Sequence, residues 1–159
     1  MSVSTESRTT GTRSSSPPKW QLALVVLAAG IPAFLLGRVL WPDAPGAAAP
    51  PVSILPVFIV ISALEAVLFG VGVAFVAFGR RLLSADRSKL AAAAFAAIAW
   101  ILLSWWPHDN FHRVTHDWYG LAAIEVGFHV TLIGSIVIVA AYFLRTLKAQ
   151  ALVADRQQS

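Results

Sequence analysis

Cysteine is absent from the 159 residues. That absence removes disulfides, thiolate metal sites, CxxC redox chemistry and covalent attachment of c-type haem. Charge is scarce too. Only 13% of the residues are Asp, Glu, Lys or Arg, while 57% are hydrophobic; soluble domains carry nearer a quarter charged. Neither a Rossmann nor a P-loop glycine motif is present, which leaves no candidate nucleotide site of those kinds. A Ser/His/Asp hydrolase has its residue inventory but no nucleophile motif. No internal repeat of 20 to 50 residues is visible. The net charge of +4 would suggest nucleic acid in a soluble protein. In so apolar a chain the basic residues read as topology signals, and no nucleic-acid partner is expected.

What the chain does have is long apolar runs. Four stand out, at 20–41, 54–79, 90–106 and 120–144. A spanning helix needs about 20 apolar residues, with about 17 still sufficient. A bilayer cannot hydrate free backbone groups, so runs this long predict helices. Pro32 is expected to kink the first, and Pro56 falls in the first turn of the second, where proline is tolerated. The first run exceeds the ~7–15 apolar residues of a cleavable signal peptide and reads as an anchor. Residues 1–18, rich in Ser, Thr and Pro, have the composition of a disordered tail. Residues 149–159 read as a second polar tail, which leaves 19–148 as a single membrane domain. The loop 42–53 is rich in Pro and Ala and reads as extended or turn-rich.

Lys and Arg fix the expected orientation. Three lie at the N-terminal end (Arg8, Arg13, Lys19), four in the middle loop (Arg80, Arg81, Arg87, Lys89) and three at the C-terminal end (Arg145, Lys148, Arg156). Arg38 and Arg113 fall on the other side. The positive-inside rule then places both termini and the middle loop in the cytoplasm, with loops 42–53 and 107–119 external. The expected location is the cell membrane.

Against this background the stretch WWPHDNFHRVTHDWYG, 105–120, is distinctive. It holds three of the four histidines and four of the eight Trp and Tyr residues. Trp105, Trp106, Trp118 and Tyr119 read as an aromatic belt, and Pro107 as a stop for the third helix or the opening of a new turn. If helical, the segment puts His108, His112 and His116 at i, i+4 and i+8 on one face, as in a short interfacial helix. Ionisable residues also occur inside the spans. Glu65 is roughly 16 Å below the outer end of its helix at 1.5 Å per residue, and Glu125 and His129 roughly 8 and 14 Å below theirs. Arg38 sits near the outer end of the first helix. Such residues are costly in a bilayer and mark function or pairing.

Together His108, Asp109, His112, His116, Glu125 and His129 form a candidate outward-facing metal funnel. Glu65 and Arg38 are candidates for an intramembrane relay or pair. Imidazole with carboxylate suits Zn, Cu, Fe or Mn. The pattern His112-x3-His116-x12-His129 resembles, in spacing alone, the Asp/His/His copper site of the membrane subunit family of copper monooxygenases. His112 stands where that site has Asp, and the likeness covers three residues.

Plainer readings stand beside these. The histidine face is also what a solvated interfacial face looks like. Glu125 and His129 can hydrogen-bond each other or Arg38 as helix glue, and Gly127, Thr131 and Gly134 read as close packing. Glu65 can be a neutral structural acid. Bis-histidine haem needs two histidines at similar depth, and only His129 is deep. A ferritin-like di-iron site needs two Glu-x-x-His motifs, and this chain has a single Glu-x-x-x-His.

The expectation is therefore an all-α protein: four transmembrane helices in an antiparallel bundle, with a short interfacial His-rich segment between helices 3 and 4. Its expected role is a metal site used in binding, delivery or metal-assisted chemistry, with enzymatic activity left open. One alternative is a non-catalytic membrane subunit or scaffold, with other membrane subunits or further copies of itself as partners beside the lipid. Another is a proton-coupled carrier using Glu65, Glu125 and His129.

Overall fold

The computed structural model describes residues 17–46, 48–81, 83, 88–115 and 118–158. They form four α-helices: α1 Lys19–Leu40, α2 Leu55–Phe78, α3 Lys89–Val114 and α4 Trp118–Gln158, with a 3-10 turn Gly79–Arg81 after α2. No strand occurs among the described residues. Each helix is long and apolar enough to cross a membrane. The shortest, α1 with 22 residues, reaches about 33 Å, against a hydrocarbon core of about 30 Å.

Extensive packing joins only consecutive helices: α1 to α2, α2 to α3 and α3 to α4. The residues that come together are small. Ala33, Ala66, Ala74, Ala91, Ala94 and Ala97 are buried, and of the large apolar side chains among the described residues only Phe128 and Tyr142 join them. Large apolar side chains such as Leu35, Val39, Val126, Val130 and Ile133 face outward. This inverts the pattern of a soluble bundle. It suits lipid, where outward leucines cost nothing and close backbone approach supplies the attraction. At the α1–α2 contact a Cβ on Gly30 would lie 3.0 Å from the Ala66 carbonyl oxygen. A Cβ on Gly70 would run into the Val26 carbonyl oxygen and lie 3.1 Å from its carbon.

Helix ends follow local chemistry. Ser88 caps α3, its Oγ accepting from the Ala91 N–H at 3.1 Å, which satisfies one of the free first-turn donors. Pro56 sits in the first turn of α2. Two boundaries differ from the sequence reading. First, α3 does not stop at Trp106. It runs through Pro107 to Val114, so residues 107–114 are its last two turns rather than a separate interfacial segment. Proline removes one intrahelical hydrogen bond, and here the turns beyond it are anchored from outside. The Ala44 N–H donates to the Arg113 carbonyl at 3.2 Å, and Trp41 packs on Phe111 with ring centroids 4.8 Å apart. Second, α4 continues unbroken to Gln158. The segment beyond Leu144 contains no Gly or Pro, and its Ala, Leu, Arg, Lys and Gln are good helix formers even where they are polar.

The contacts of residues 41–44 with Phe111 and Arg113 place the α1–α2 connection at the same end of the molecule as the α3–α4 turn. The ionisable residues singled out from the sequence gather at this end.

Candidate metal centre

α3 ends at Val114 and α4 begins at Trp118, so the last turns of α3 face the first turns of α4. His108 and His112, four residues apart, project from one face of α3. Glu125 projects from α4 toward them. One ligand atom from each of the three lies within 4.8 Å of the others. His108 Nε2 is 3.4 Å from His112 Nε2 and 3.5 Å from Glu125 Oε1. His112 Nε2 is 2.5 Å from the same oxygen. Around a tetrahedral ion with ligands at 2.0–2.1 Å, neighbouring ligand atoms are roughly 3.3–3.4 Å apart. Two of the three edges already match. The third is a direct ion-pair contact, which must open by roughly 0.8 Å to share an ion.

Neighbouring groups hold these side chains in place. Phe128 is buried and stacks on the His108 ring, with centroids 3.7 Å apart and planes 15° from parallel. Trp105 meets the other side of Phe128 edge-on at 5.1 Å. The Nδ1 of His129 lies 2.8 Å from the Glu125 carbonyl oxygen and 3.1 Å from Glu125 Oε2. An Nδ1–H there donates to the Glu125 backbone carbonyl, which leaves the His129 ring beside the Glu125 carboxylate, where outer partners of metal ligands sit. His129 thus approaches through the carboxylate oxygen that faces away from His108 and His112.

The other sequence candidates are placed differently. Asp109, next to His108, hydrogen-bonds the carboxyl of Glu65 on α2 and is outside the three-residue cluster. Glu65 is 9% exposed. Arg38 pairs with Asp43 at 3.8 Å, not with Glu65. His116 lies outside the described residues.

Three features had no clear sequence signal. Arg113 donates to Asp43 Oδ1 from Nη2 at 2.7 Å and from Nε at 3.0 Å, across 70 residues of chain. The Arg113 hydrogen bond is the main reason that the Asp43 carboxyl is held below the usual carboxylate range; partial desolvation opposes it, and the charges of Arg113 and Arg38 reinforce it. Asn110 is buried, donates to the Trp106 carbonyl at 2.6 Å and accepts from Arg113 Nη1 at 3.3 Å. Ser104, one turn below His108 on α3, is buried, and its Oγ has no hydrogen-bond partner.

Two imidazoles and one carboxylate, drawn from two helices, can hold a divalent transition ion with further positions open. Zinc and ferrous iron both use this donor set. Comparison with known protein families, curated proteins and solved structures finds no match for this chain.

Proposed function

We propose that this protein is a small integral membrane protein that binds a divalent transition ion at His108, His112 and Glu125, with His129 positioning Glu125. The observation that carries the reading is the convergence of three ligand atoms from α3 and α4 within 4.8 Å. Three protein ligands leave room for a water or a substrate atom, the arrangement of a binding, delivery or Lewis-acid site rather than a closed structural one. The distribution of Lys and Arg supports an orientation with this end of the molecule outside the cell and both termini in the cytoplasm. A reporter fused after Ser53 reads external and one fused at Gln158 reads cytoplasmic; the opposite pattern overturns the orientation.

Elemental analysis of the purified protein tests the site. Wild type carries about one equivalent of zinc or iron, and His108→Ala and His112→Ala each lose most of it. His129→Ala weakens binding less, because it removes a positioning contact. If wild type takes up no transition metal at micromolar concentration near pH 7.5, the metal reading fails.

A second reading has its own support. Glu125 already meets His112 through one oxygen and His129 through the other. The second lies within α4, but the first ties α4 to α3 without any ion, as polar helix glue does in membranes. On that reading the protein is a scaffold or membrane subunit, and the histidine variants lose stability rather than metal.

A further inference from the structure

Beside the cluster, α3 and α4 separate to form a cleft of about 710 Å³, within the range of small-molecule sites. Its walls are apolar: Ala99, Trp100 and Leu103 on α3, Ile124 and Phe128 on α4. No Asp, Glu, Lys or Arg is among its lining residues. His108 lines its upper end and is also a member of the metal cluster. Ser104 lines it one turn below; it is 4% exposed, and its Oγ finds no hydrogen-bond partner. Leaving such a group unpaired costs about 1–3 kcal/mol, so a ligand that pairs it is favoured. From His108 to Ala96, the far end of the α3 wall, the cleft runs roughly 18 Å along the helix at 1.5 Å per residue. One leaflet of the hydrocarbon core is about 15 Å thick.

These features specify an occupant. It is apolar over the depth of one leaflet and carries a polar head at His108 and Ser104. Charge decides what kind of head. A divalent ion on two neutral imidazoles and one carboxylate keeps one uncompensated positive charge, and nothing lining the cleft offsets it. We propose that the cleft seats a long-chain carboxylate, its tail along Ala99, Trp100 and Leu103 and its carboxylate between the metal and the Ser104 hydroxyl. This inference rests on the metal reading for its charge argument and on the cleft and Ser104 for its geometry. It makes a fatty-acid-like amphiphile the substrate or effector class of the site.

The test uses full-length, zinc-loaded protein in nanodiscs. Its probes are a fatty acid brominated in mid-chain and the methyl ester of that acid, which lacks the charge. The readout is tryptophan quenching, to which Trp100 in the cleft wall responds, with zinc content measured on the same samples. In wild type the acid quenches saturably and at least tenfold more tightly than the ester. Gly127→Leu fills the cleft; a Cβ there meets nothing within 4 Å, so α4 accepts it. It weakens the acid at least tenfold and leaves zinc content unchanged. Ala96→Phe, at the far end, does the same and guards against a folding defect in the first variant. Ser104→Ala weakens the acid several-fold, the loss of one hydrogen bond.

Equal quenching by acid and ester, or by wild type and both filled variants, in protein that holds zinc overturns the carboxylate proposal and leaves the metal reading standing. Selective, cleft-dependent quenching in protein that holds no zinc overturns the metal reading and leaves the cleft as a carboxylate site headed by Ser104.

Discussion

Glu125→Gln separates the two readings of the α3–α4 site, because it changes charge while keeping shape. The carboxamide retains an oxygen that accepts from His112, now 2.5 Å from Oε1, and a group of the same size beside His129, now 3.1 Å from Oε2. Hydrogen bonds of this kind contribute about 0.5–1.5 kcal/mol each, and Glu125 is only partly buried. Metal-free stability should therefore fall by no more than about 1 kcal/mol. Metal binding responds differently, since a neutral amide is a poor ligand for a divalent ion. Disturbing an outer partner of a ligand already costs 10–100-fold in affinity. Removing the carboxylate itself should cost at least about 100-fold, or roughly 2.7 kcal/mol. The same ion staples α4 to α3. At a free zinc concentration 100 times its Kd, wild type gains about 2.7 kcal/mol against unfolding, and the variant at that concentration gains well under 1 kcal/mol. A zinc titration against a chromophoric chelator, with thermal melts followed by circular dichroism with and without zinc, measures both quantities. A Glu125→Gln variant that binds zinc within threefold of wild type refutes Glu125 as a ligand. A variant that loses several kcal/mol without zinc, in a wild type that binds none, leaves the glue reading alone.

Three other expectations follow from the packing. Gly70→Ala pushes a methyl into the Val26 backbone and should cost about 1–3 kcal/mol, while Gly134→Ala, with nothing within 4 Å of its Cβ, should be close to neutral; denaturant melts in micelles compare the two, and equal stabilities would remove the α1–α2 close-packing argument. Asp43 has a depressed folded-state pKa, so its contribution is full above the unfolded value near 3.9 and is lost as pH falls through the folded value. It is half-exposed, which limits that contribution to about 0.2–1 kcal/mol; the stability gap between wild type and Asp43→Asn should narrow from pH 7 to pH 3, and a constant gap counts against the Arg113 clamp. Glu65→Gln supplies an N–H that can donate to Asp109 and should fold like wild type, whereas Glu65→Leu leaves Asp109 without its partner and should be destabilised by about 1–3 kcal/mol in the same melts.

The four spans were legible because each is a continuous apolar run, and in lipid such a run has few structures open to it. Their ends were less legible. Pro107 reads locally as a stop, yet α3 passes through it because Ala44, Trp41 and Asp43, far away in sequence, hold its last turns. The polar segment 149–159 reads locally as a tail, yet α4 continues to Gln158, because polarity alone does not break a helix that is rich in Ala, Leu, Arg and Gln and free of Gly and Pro.

The site divides along the same line. His108 and His112 meet at 3.4 Å because i, i+4 on a helix is fixed by local geometry, and the sequence displays that spacing. Glu125 was legible as a candidate ligand but was set below a surface histidine segment; the continuation of α3 through Pro107 to Val114 is what brings His108 and His112 alongside it. What no spacing reveals is rotation about the helix axis. His108 and Asp109 are neighbours in sequence, but they lie about 100° apart around α3, given 3.6 residues per turn. One therefore faces α4 and joins Glu125, while the other faces α2 and meets the Glu65 carboxyl. A single funnel that included both would need α3 to present two faces to one partner. The packing of α3 between α2 and α4 instead sorts the polar residues into two separate sites, a His/Glu cluster on one side and a carboxyl pair on the other. Metal variants and Glu65 variants should accordingly act independently. If the two sides are independent, the stability losses of His112→Ala and Glu65→Leu add within about 0.5 kcal/mol in the double variant. A coupling well above that would mean that the two sides of α3 work as one site after all.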